Sequence, residues 1–195
     1  MSSSPTPLYY AAIHSHTDAC KLLLDRGANS ICVRMGSIPI HTLELLLIYR
    51  IYTPYDMASY FKELIRMTYW DEDSIELLVR HGVDIDMYHI RETFNALQHI
   101  VDSYFRGDDY AHLLCKKAML LLRLGADPNT IVPRLGWTPL YMAIMADCYD
   151  MVELLLECGA DPNIRTPECN KPSLHYANVP SGIYGLLLRY GAKNE

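Results

Sequence analysis

The sequence predicts an all-α fold in which short antiparallel helix pairs stack side by side. Three features of residues 136–163 support this prediction: a Thr-Pro pair that opens a helix, two apolar runs at helical spacing, and one glycine after the second run. Thr138 is placed to cap the first helix, and Pro139 fits its first turn, where a missing N–H costs nothing. Gly159 stands where the second helix ends, because glycine takes the left-handed conformation freely.

The two predicted helices each have one apolar side. Leu140, Ala143 and Ile144 fall on the same side of the first helix, and residues 151–156 supply the apolar run of the second. A polar break at residues 147–150 separates them. Two helices this short cannot bury their apolar sides alone, so the pair needs neighbours of the same shape.

Pieces of the same pattern recur along the chain. T-P-L-Y-Y-A stands at residues 6–11, T-P-L-Y-M-A at 138–143 and P-S-L-H-Y-A at 172–177. Leucine-rich segments that run into a glycine lie at residues 22–29, 77–84, 120–129, 154–163 and 186–192. Leu140 and Leu174 are 34 residues apart. These residues closely resemble the ankyrin repeat, whose signature is T-P-L-H-x-A and whose period is about 33 residues.

The resemblance implies an ankyrin-repeat solenoid, in which stacked antiparallel helix pairs are joined by β-hairpin-like loops. It implies one domain over residues 1–195 with about five repeats. The second and third repeats are irregular and carry insertions. The repeats fall at about residues 4–30, 31–86 with an inserted helix, 87–129, 134–163 and 168–193.

The second repeat can be interpreted in two ways. T-P-Y-D-M-A at residues 53–58 matches the opening of an inner helix, which makes residues 38–52 an inserted helix. Alternatively, I-P-I-H at residues 38–41 is a degenerate opening, and residues 53–70 are the insertion. The first interpretation is preferred. In both, the acidic residues 71–73 open the outer helix, because negative charge favours a helix N-terminus.

The third and fifth repeats depart from the regular length. In the third, the sequence predicts an inner helix from Thr93 to Phe105 and an outer helix from Tyr110 to Leu124. In the fifth, residues 179–182 read V-P-S-G and are expected to shorten or distort the turn between the two helices.

Composition limits the classes of partner. The formal net charge is −6 and the only adjacent basic pair is at residues 116–117, which argues against nucleic acid as a partner. No apolar stretch approaches the roughly 18 residues of a membrane helix, so membrane insertion is not expected. The six cysteines form no C-x-x-C pair, and residues 1–5 have no signal-peptide character. An intracellular protein, cytoplasmic or nuclear or both, is therefore expected.

Catalytic and metal-binding patterns do not stand out. The chain has no G-x-S-x-G, H-E-x-x-H or phosphate-loop motif. His14 and His16 lack further metal ligands nearby in the sequence, and a pairing of Cys148 with His175 has no support from spacing. We therefore predict a protein that is not an enzyme and that uses no cofactor or metal.

The resemblance implies a protein-binding surface on the hairpin loops and on the concave side of the inner helices. The positions that match such a surface are Ile13, His14, Arg134, Leu135, Trp137, Met145, Ala146 and Lys171. Trp137 is the strongest of these candidates, because tryptophan beside arginine and methionine is typical of an interface anchor. The alternative is that Trp137 packs over the neighbouring hairpin.

The predicted function is therefore a non-enzymatic protein-protein interaction module that binds a protein partner. The alternative function is a substrate-recruiting adaptor for a larger complex, such as a ubiquitin ligase or a host-directed effector complex. The insertion at residues 38–70 is the only candidate for the second docking site that an adaptor needs.

Overall fold

A computed structural model describes residues 6–28, 35–67, 71–87, 94–105, 111–133, 135–165 and 171–193. Within these ranges every regular element is helical and no strand occurs, so the predicted all-α fold is confirmed. The chain divides into two compact units, Met1–Asp84 and Ile85–Glu195. Each is described by itself below.

The first unit begins with a tight helix pair, α1 (Pro7–Ile13) and α2 (Thr17–Asp25). The Thr6 hydroxyl caps α1 by accepting the Tyr9 N–H at 3.2 Å, as the Thr-Pro pattern predicts. The two helices pack together through small and apolar side chains, and the most deeply buried are Leu8, Ala12 and Cys20.

Helix α3 (Ile40–Ile48) packs against α2 and α5. The hydroxyls of Thr17 and Thr42, at the starts of α2 and α3, lie 3.2 Å apart. At the other ends of these helices, the Tyr49 hydroxyl donates to the Asp25 carboxylate. Contacts from start to start and from end to end mean that α3 runs parallel to α2.

Helix α4 (Pro54–Arg66) packs on α5 (Glu72–Arg80). The Thr53 side chain accepts the Asp56 N–H, and the Asp56 carboxylate accepts the Thr53 N–H in return, so a full capping box opens α4. Pro39 provides no such side-chain bond to α3. Both candidate openings of the second repeat thus begin a helix. Which of the two helices is the insertion stays a prediction.

The second unit holds two layers of helices. Helices α6 (Ala96–Phe105) and α8 (Pro139–Met145) and the 3-10 helix Ser173–Tyr176 pack in one row. Helices α7 (Ala111–Arg123), α9 (Tyr149–Glu157) and α10 (Ile183–Arg189) form the second row. Leucines from both rows fill the space between them. Each fully buried leucine contributes about 1.5–3 kcal/mol to stability. An isolated helix pair would leave many of these leucines exposed to water and would lose their contribution.

The predicted start of α6 at Thr93 is not the start observed, and Thr93 itself lies outside the described residues. The helix begins at Ala96, because the Asn95 side chain accepts the Gln98 N–H at 2.9 Å and the Gln98 side chain accepts the Asn95 N–H. Helix α7 covers Ala111–Arg123 and ends one residue before the predicted end at Leu124, while the predicted start at Tyr110 lies outside the described residues.

The fifth repeat lacks the α-helix that its opening signature suggests. Two 3-10 helices, Ser173–Tyr176 and Val179–Ser181, take its place before α10. Pro180 has no N–H to donate and disfavours helical backbone in the residue before it, so an α-helix cannot run through this segment. The predicted distortion at residues 179–182 is confirmed, with Gly182 left-handed at φ 79°.

Asparagine side chains connect successive loops of the second unit. Asn129 donates to the Gly159 carbonyl at 3.2 Å, and its Oδ1 accepts the Asp161 N–H at 2.8 Å. Asn163 repeats this pattern one repeat later, with the Gly191 carbonyl at 3.1 Å and the Lys193 N–H at 2.9 Å. We call these four bonds the asparagine ladder. It fixes the register between neighbouring repeats.

Candidate functional site

A tight hairpin in the second unit presents two of the predicted site residues. The Val132 N–H donates to the Trp137 carbonyl at 2.8 Å, and the Gly136 N–H donates to the Val132 carbonyl at 2.8 Å. Leu135 and Trp137 are both half-buried on this hairpin. Arg134 lies outside the described residues, so its predicted role stays a prediction.

An aromatic row extends from this hairpin into the fifth repeat. The Trp137 ring lies 5.6 Å from Tyr141 between centroids, and Tyr141 meets Tyr176 edge to face at 5.1 Å. Tyr176 in turn meets His175 edge to face at 5.3 Å. Each such contact is worth about 0.5–1.5 kcal/mol beyond area burial. The aromatic row, defined as these four residues, therefore holds Trp137 in a fixed orientation while part of its ring stays exposed.

Lys171 stands at the end of the aromatic row. Its Nζ lies 2.8 Å from His175 Nε2, so a protonated lysine donates to a neutral ring. Both side chains are exposed. The row therefore ends in a positive charge that a partner's carboxylate can reach.

The far end of α8 carries an exposed apolar patch. Met145 is 48% exposed, and Val179, which is 34 residues later at the equivalent position of the next repeat, is 69% exposed. Tyr149 is also exposed, and its ring lies against Gly182. We call Met145, Tyr149 and Val179 the apolar patch. Ala146, a predicted site residue, is half-buried beside Met145 and caps α8.

Helix α8 separates Trp137 from Met145. The helix itself, from Pro139 to Met145, is about 9 Å long at 1.5 Å per residue, and Trp137 lies two residues before it. A single partner segment can span that distance. The exposed residues Asp147 and Asp150 lie two and five positions after Met145, so the apolar patch has acidic neighbours in the sequence.

The first unit holds the remaining two predicted residues. Ile13 is half-buried as the last residue of α1, and His14 is exposed in the turn that follows. The rings of His14 and His16 have centroids 6.3 Å apart. Among the residues that the structure describes, no three histidine, cysteine or acidic side chains come close enough to hold a metal ion.

Comparison with known families decides the family of the chain. The family model described as Ankyrin repeats (3 copies) matches residues 64–166, and the model described as Ankyrin repeat matches residues 6–36. The chain belongs to the ankyrin-repeat family. Ankyrin repeat domains generally mediate protein–protein interaction, and the fold is known as a non-enzymatic interaction module.

Solved ankyrin repeat domains have the same fold. The ankyrin repeat domain of Bcl-3, described as a unique member of the IkappaB protein family, is 18% identical with a TM-score of 0.56. The match covers 95% of this chain and 99% of that one. An ankyrin repeat domain from Acinetobacter baumannii AYE is 22% identical with a TM-score of 0.55, and the match covers 96% and 98%. No curated protein sequence matches. These similarities show the fold alone.

The ankyrin repeats of the second unit also bring together three groups that the sequence did not connect. Cys148 is the N-cap of α9, and its Sγ accepts the Met151 N–H at 3.4 Å. Two other groups, the Cys115 thiol on α7 and the Tyr104 hydroxyl on α6, lie close enough to Cys148 to influence its pKa. We call Tyr104, Cys115 and Cys148 the thiol cluster. Cys148 is therefore influenced by Cys115 of the neighbouring repeat, while His175 pairs with Lys171.

Hydrogen bonding sets the proton affinities in the thiol cluster. The bond from Cys115 is the main cause that lowers the pKa of Cys148 to about 6, and the Tyr104 and Met151 donors add to it, while burial and Asp150 oppose it. The same bonds raise the pKa of Cys115, and they raise that of Tyr104 to about 12. Cys148 is thus the group that loses its proton first.

Over the described ranges, none of the ankyrin helices is both long and apolar enough to cross a bilayer.

Proposed function

We propose that this ankyrin chain is a non-enzymatic module that binds a protein partner through its hairpin loops and the exposed side of its inner helices. In the second unit the binding residues are Leu135, Trp137, Met145, Ala146 and Lys171. In the first unit they are Ile13 and His14. The observation that carries the proposal is the combination of a fixed, half-buried Trp137 on the hairpin with an exposed Met145 on the helix that follows it.

The chemistry of the surface favours one type of partner segment. Apolar side chains of the partner cover the apolar patch, because exposed methionine, tyrosine and valine lose water contacts on binding. Lysine or arginine beside them meets Asp147 and Asp150. A carboxylate of the partner meets Lys171. Because these charges are exposed, we expect binding to weaken as the salt concentration rises.

The test is quantitative affinity capture with matched variants. Met145→Ala and Trp137→Ala should each lower the amount of a partner retained by the wild-type chain, with Trp137→Ala costing at least about 2 kcal/mol, or roughly 30-fold in affinity. Met119→Ala is the control, because Met119 on α7 is 56% exposed and lies outside the proposed surface. Equal retention by the Met145 and Met119 variants would remove the surface from consideration.

We also propose that the partner is a protein inside the cell and not a nucleic acid. The formal net charge of −6 supports it. The four cysteines of the described residues, Cys20, Cys115, Cys148 and Cys158, are unbridged, which suits a reducing compartment.

The alternative function, a substrate-recruiting adaptor for a larger complex such as a ubiquitin ligase or a host-directed effector complex, has one structural feature in its favour. Ile48 and Tyr55 in the region 38–70 are 61% and 74% exposed, and Tyr60, Glu63 and Met67 of the same region line a cleft. A second docking surface in the first unit would use these side chains. If Tyr55→Ala retains every member of the captured assembly as well as the control Leu22→Ala does, the adaptor proposal is wrong; Leu22 is exposed on the outer helix α2.

A further inference from the structure

We propose that the cleft in the first unit binds an arginine side chain of a partner protein. The walls of the cleft come from the 3-10 helix Met35–Ser37, from α4 and from the start of α5, and its volume is about 320 Å³. This volume lies at the small end of the roughly 300–1,000 Å³ that is typical of ligand pockets, so the cleft has room for one long side chain. It belongs wholly to the first unit and does not depend on the surface proposed in the second unit.

The inner part of the cleft is apolar and aromatic. Ile38 and Leu64 line it and are 7% and 3% exposed. The Tyr60 ring lies close to the backbone of Gly36, where an added Cβ would come within 3.2 Å of the ring. A planar ring beside apolar side chains is a surface on which the flat guanidinium group of arginine and its apolar stem can pack.

The rim of the cleft is acidic. Glu63 and Asp71 line it and are exposed, and among the described residues that line it none is a lysine, an arginine or a histidine. Asp71 begins α5 without a side-chain bond to the N–H groups of that helix, and its Oδ2 accepts the Ser74 hydroxyl at 2.7 Å. Because Ser74 is buried, this bond fixes the carboxylate at the edge of the cleft. Two carboxylates beside an apolar floor favour a ligand that combines a cation with an apolar stem.

Arginine fits this combination better than lysine does. Its guanidinium group stacks on aromatic rings and can donate two parallel N–H bonds to one carboxylate, whereas lysine presents a compact and strongly hydrated charge. Water and salt screen exposed carboxylates, so one arginine alone should bind weakly, with a Kd of about 1 mM or higher. The inference deepens the adaptor alternative, on which it rests for a role in the cell, by naming the chemistry of the second docking surface.

The experiment is an NMR titration of the ¹⁵N-labelled full chain with N-acetyl-arginine amide. We expect saturable shifts in the backbone amides of residues 36–38, 60–67 and 71–74. N-acetyl-citrulline amide has a similar shape but no charge and should bind roughly tenfold more weakly. Glu63→Gln and Asp71→Asn each remove one charge and keep the side-chain shape, so each should raise the Kd for the arginine amide roughly threefold.

Asp18→Asn is the matched control, because Asp18 is exposed on α2 of the same unit and does not line the cleft. This variant should bind the arginine amide as the wild type does. The proposal is overturned if the cleft amides show no saturable shift, if the citrulline amide binds equally well, or if Asp18→Asn weakens binding as much as Asp71→Asn does. If the arginine amide does not bind but Tyr55→Ala still loses a member of the captured assembly, this inference is wrong and the adaptor alternative stands.

Discussion

Replacing Asn129 by alanine should weaken the connection between the third and fourth repeats. The change removes the donor to the Gly159 carbonyl and the acceptor of the Asp161 N–H, at 3.2 and 2.8 Å. Each intramolecular hydrogen bond contributes about 0.5–1.5 kcal/mol, and the loop is partly open to water, so we expect a loss of about 1–2 kcal/mol. In a stacked array this loss falls on the interface between two repeats.

Urea unfolding followed by circular dichroism measures the effect. With a slope of roughly 1–3 kcal/mol per molar urea, the midpoint should fall by about 0.5–1 M. Asn163→Ala should behave similarly, because it breaks the equivalent bonds to Gly191 and Lys193. Asn178→Ala is the control, since this exposed asparagine makes no side-chain cap bond and should change stability by less than about 0.5 kcal/mol.

One result would refute the reasoning about the asparagine ladder. If Asn129→Ala and Asn178→Ala unfold at the same urea concentration, the ladder bonds do not contribute to the stacking of repeats. The register would then depend on the apolar packing between α7 and α9 alone.

Three further predictions concern local features of the fold. Arg50 has φ 54°, a left-handed conformation that is strained for a residue with a side chain, so Arg50→Gly should raise the free energy of unfolding by about 1 kcal/mol. Arg26, at φ −90°, is not strained, so Arg26→Gly should bring no such gain. Thermal unfolding compares the two variants, and equal effects would contradict the argument from strain. Thr138→Ala removes the side-chain cap of α8 and should lower the free energy of unfolding by about 1 kcal/mol. Thr138→Ser keeps a hydroxyl and should retain most of that stability. Urea unfolding measures both variants, and equal losses would show that the hydroxyl is not the cause. The lowered pKa of Cys148 adds stability that is fully present above its ordinary value of 9.0 and is lost as the pH falls through about 6. The raised pKa of Cys115 adds stability that is present below 9.0 and is lost at higher pH. Stability of the wild type relative to Cys148→Ser should therefore rise from pH 6 to 9 and then fall, and a flat difference would contradict the assigned hydrogen bonds.

Much of the fold could be predicted because the ankyrin signature acts locally. Thr6, Thr53 and Thr138 cap their helices through side-chain oxygen atoms, as Thr-Pro pairs favour. Gly82 and Gly159 end outer helices, both with φ 93°. Each of these outcomes depends on one or two residues and their immediate neighbours, so the sequence pattern was sufficient.

Other outcomes depend on contacts between repeats, which no single repeat encodes. Asn95 caps the start of α6 through reciprocal side-chain hydrogen bonds with Gln98. A pattern that looks for threonine as the capping residue does not predict this start. The aromatic row joins Tyr141 to Tyr176 across two repeats, and Tyr141 was treated only as part of the opening signature. The fifth repeat loses its inner α-helix, although the proline at 180 was a visible signal.

The thiol cluster also had a signal in the sequence. Cys115 and Cys148 stand 33 residues apart, close to one repeat period, and therefore fall at neighbouring places in successive repeats. Short motifs such as C-x-x-C do not reveal this relation, because it spans a whole repeat. Tyr104 could not have been added, because its approach depends on the packing of α6 against α7.

Hydrogen exchange of the chain with and without a captured partner tests the central proposal most directly. Binding through the hairpin and the inner helices predicts slower exchange in residues 131–147, with α7 and the outer side of α9 unchanged. Protection of α7 and α9 with no change across residues 131–147 would contradict the proposed surface.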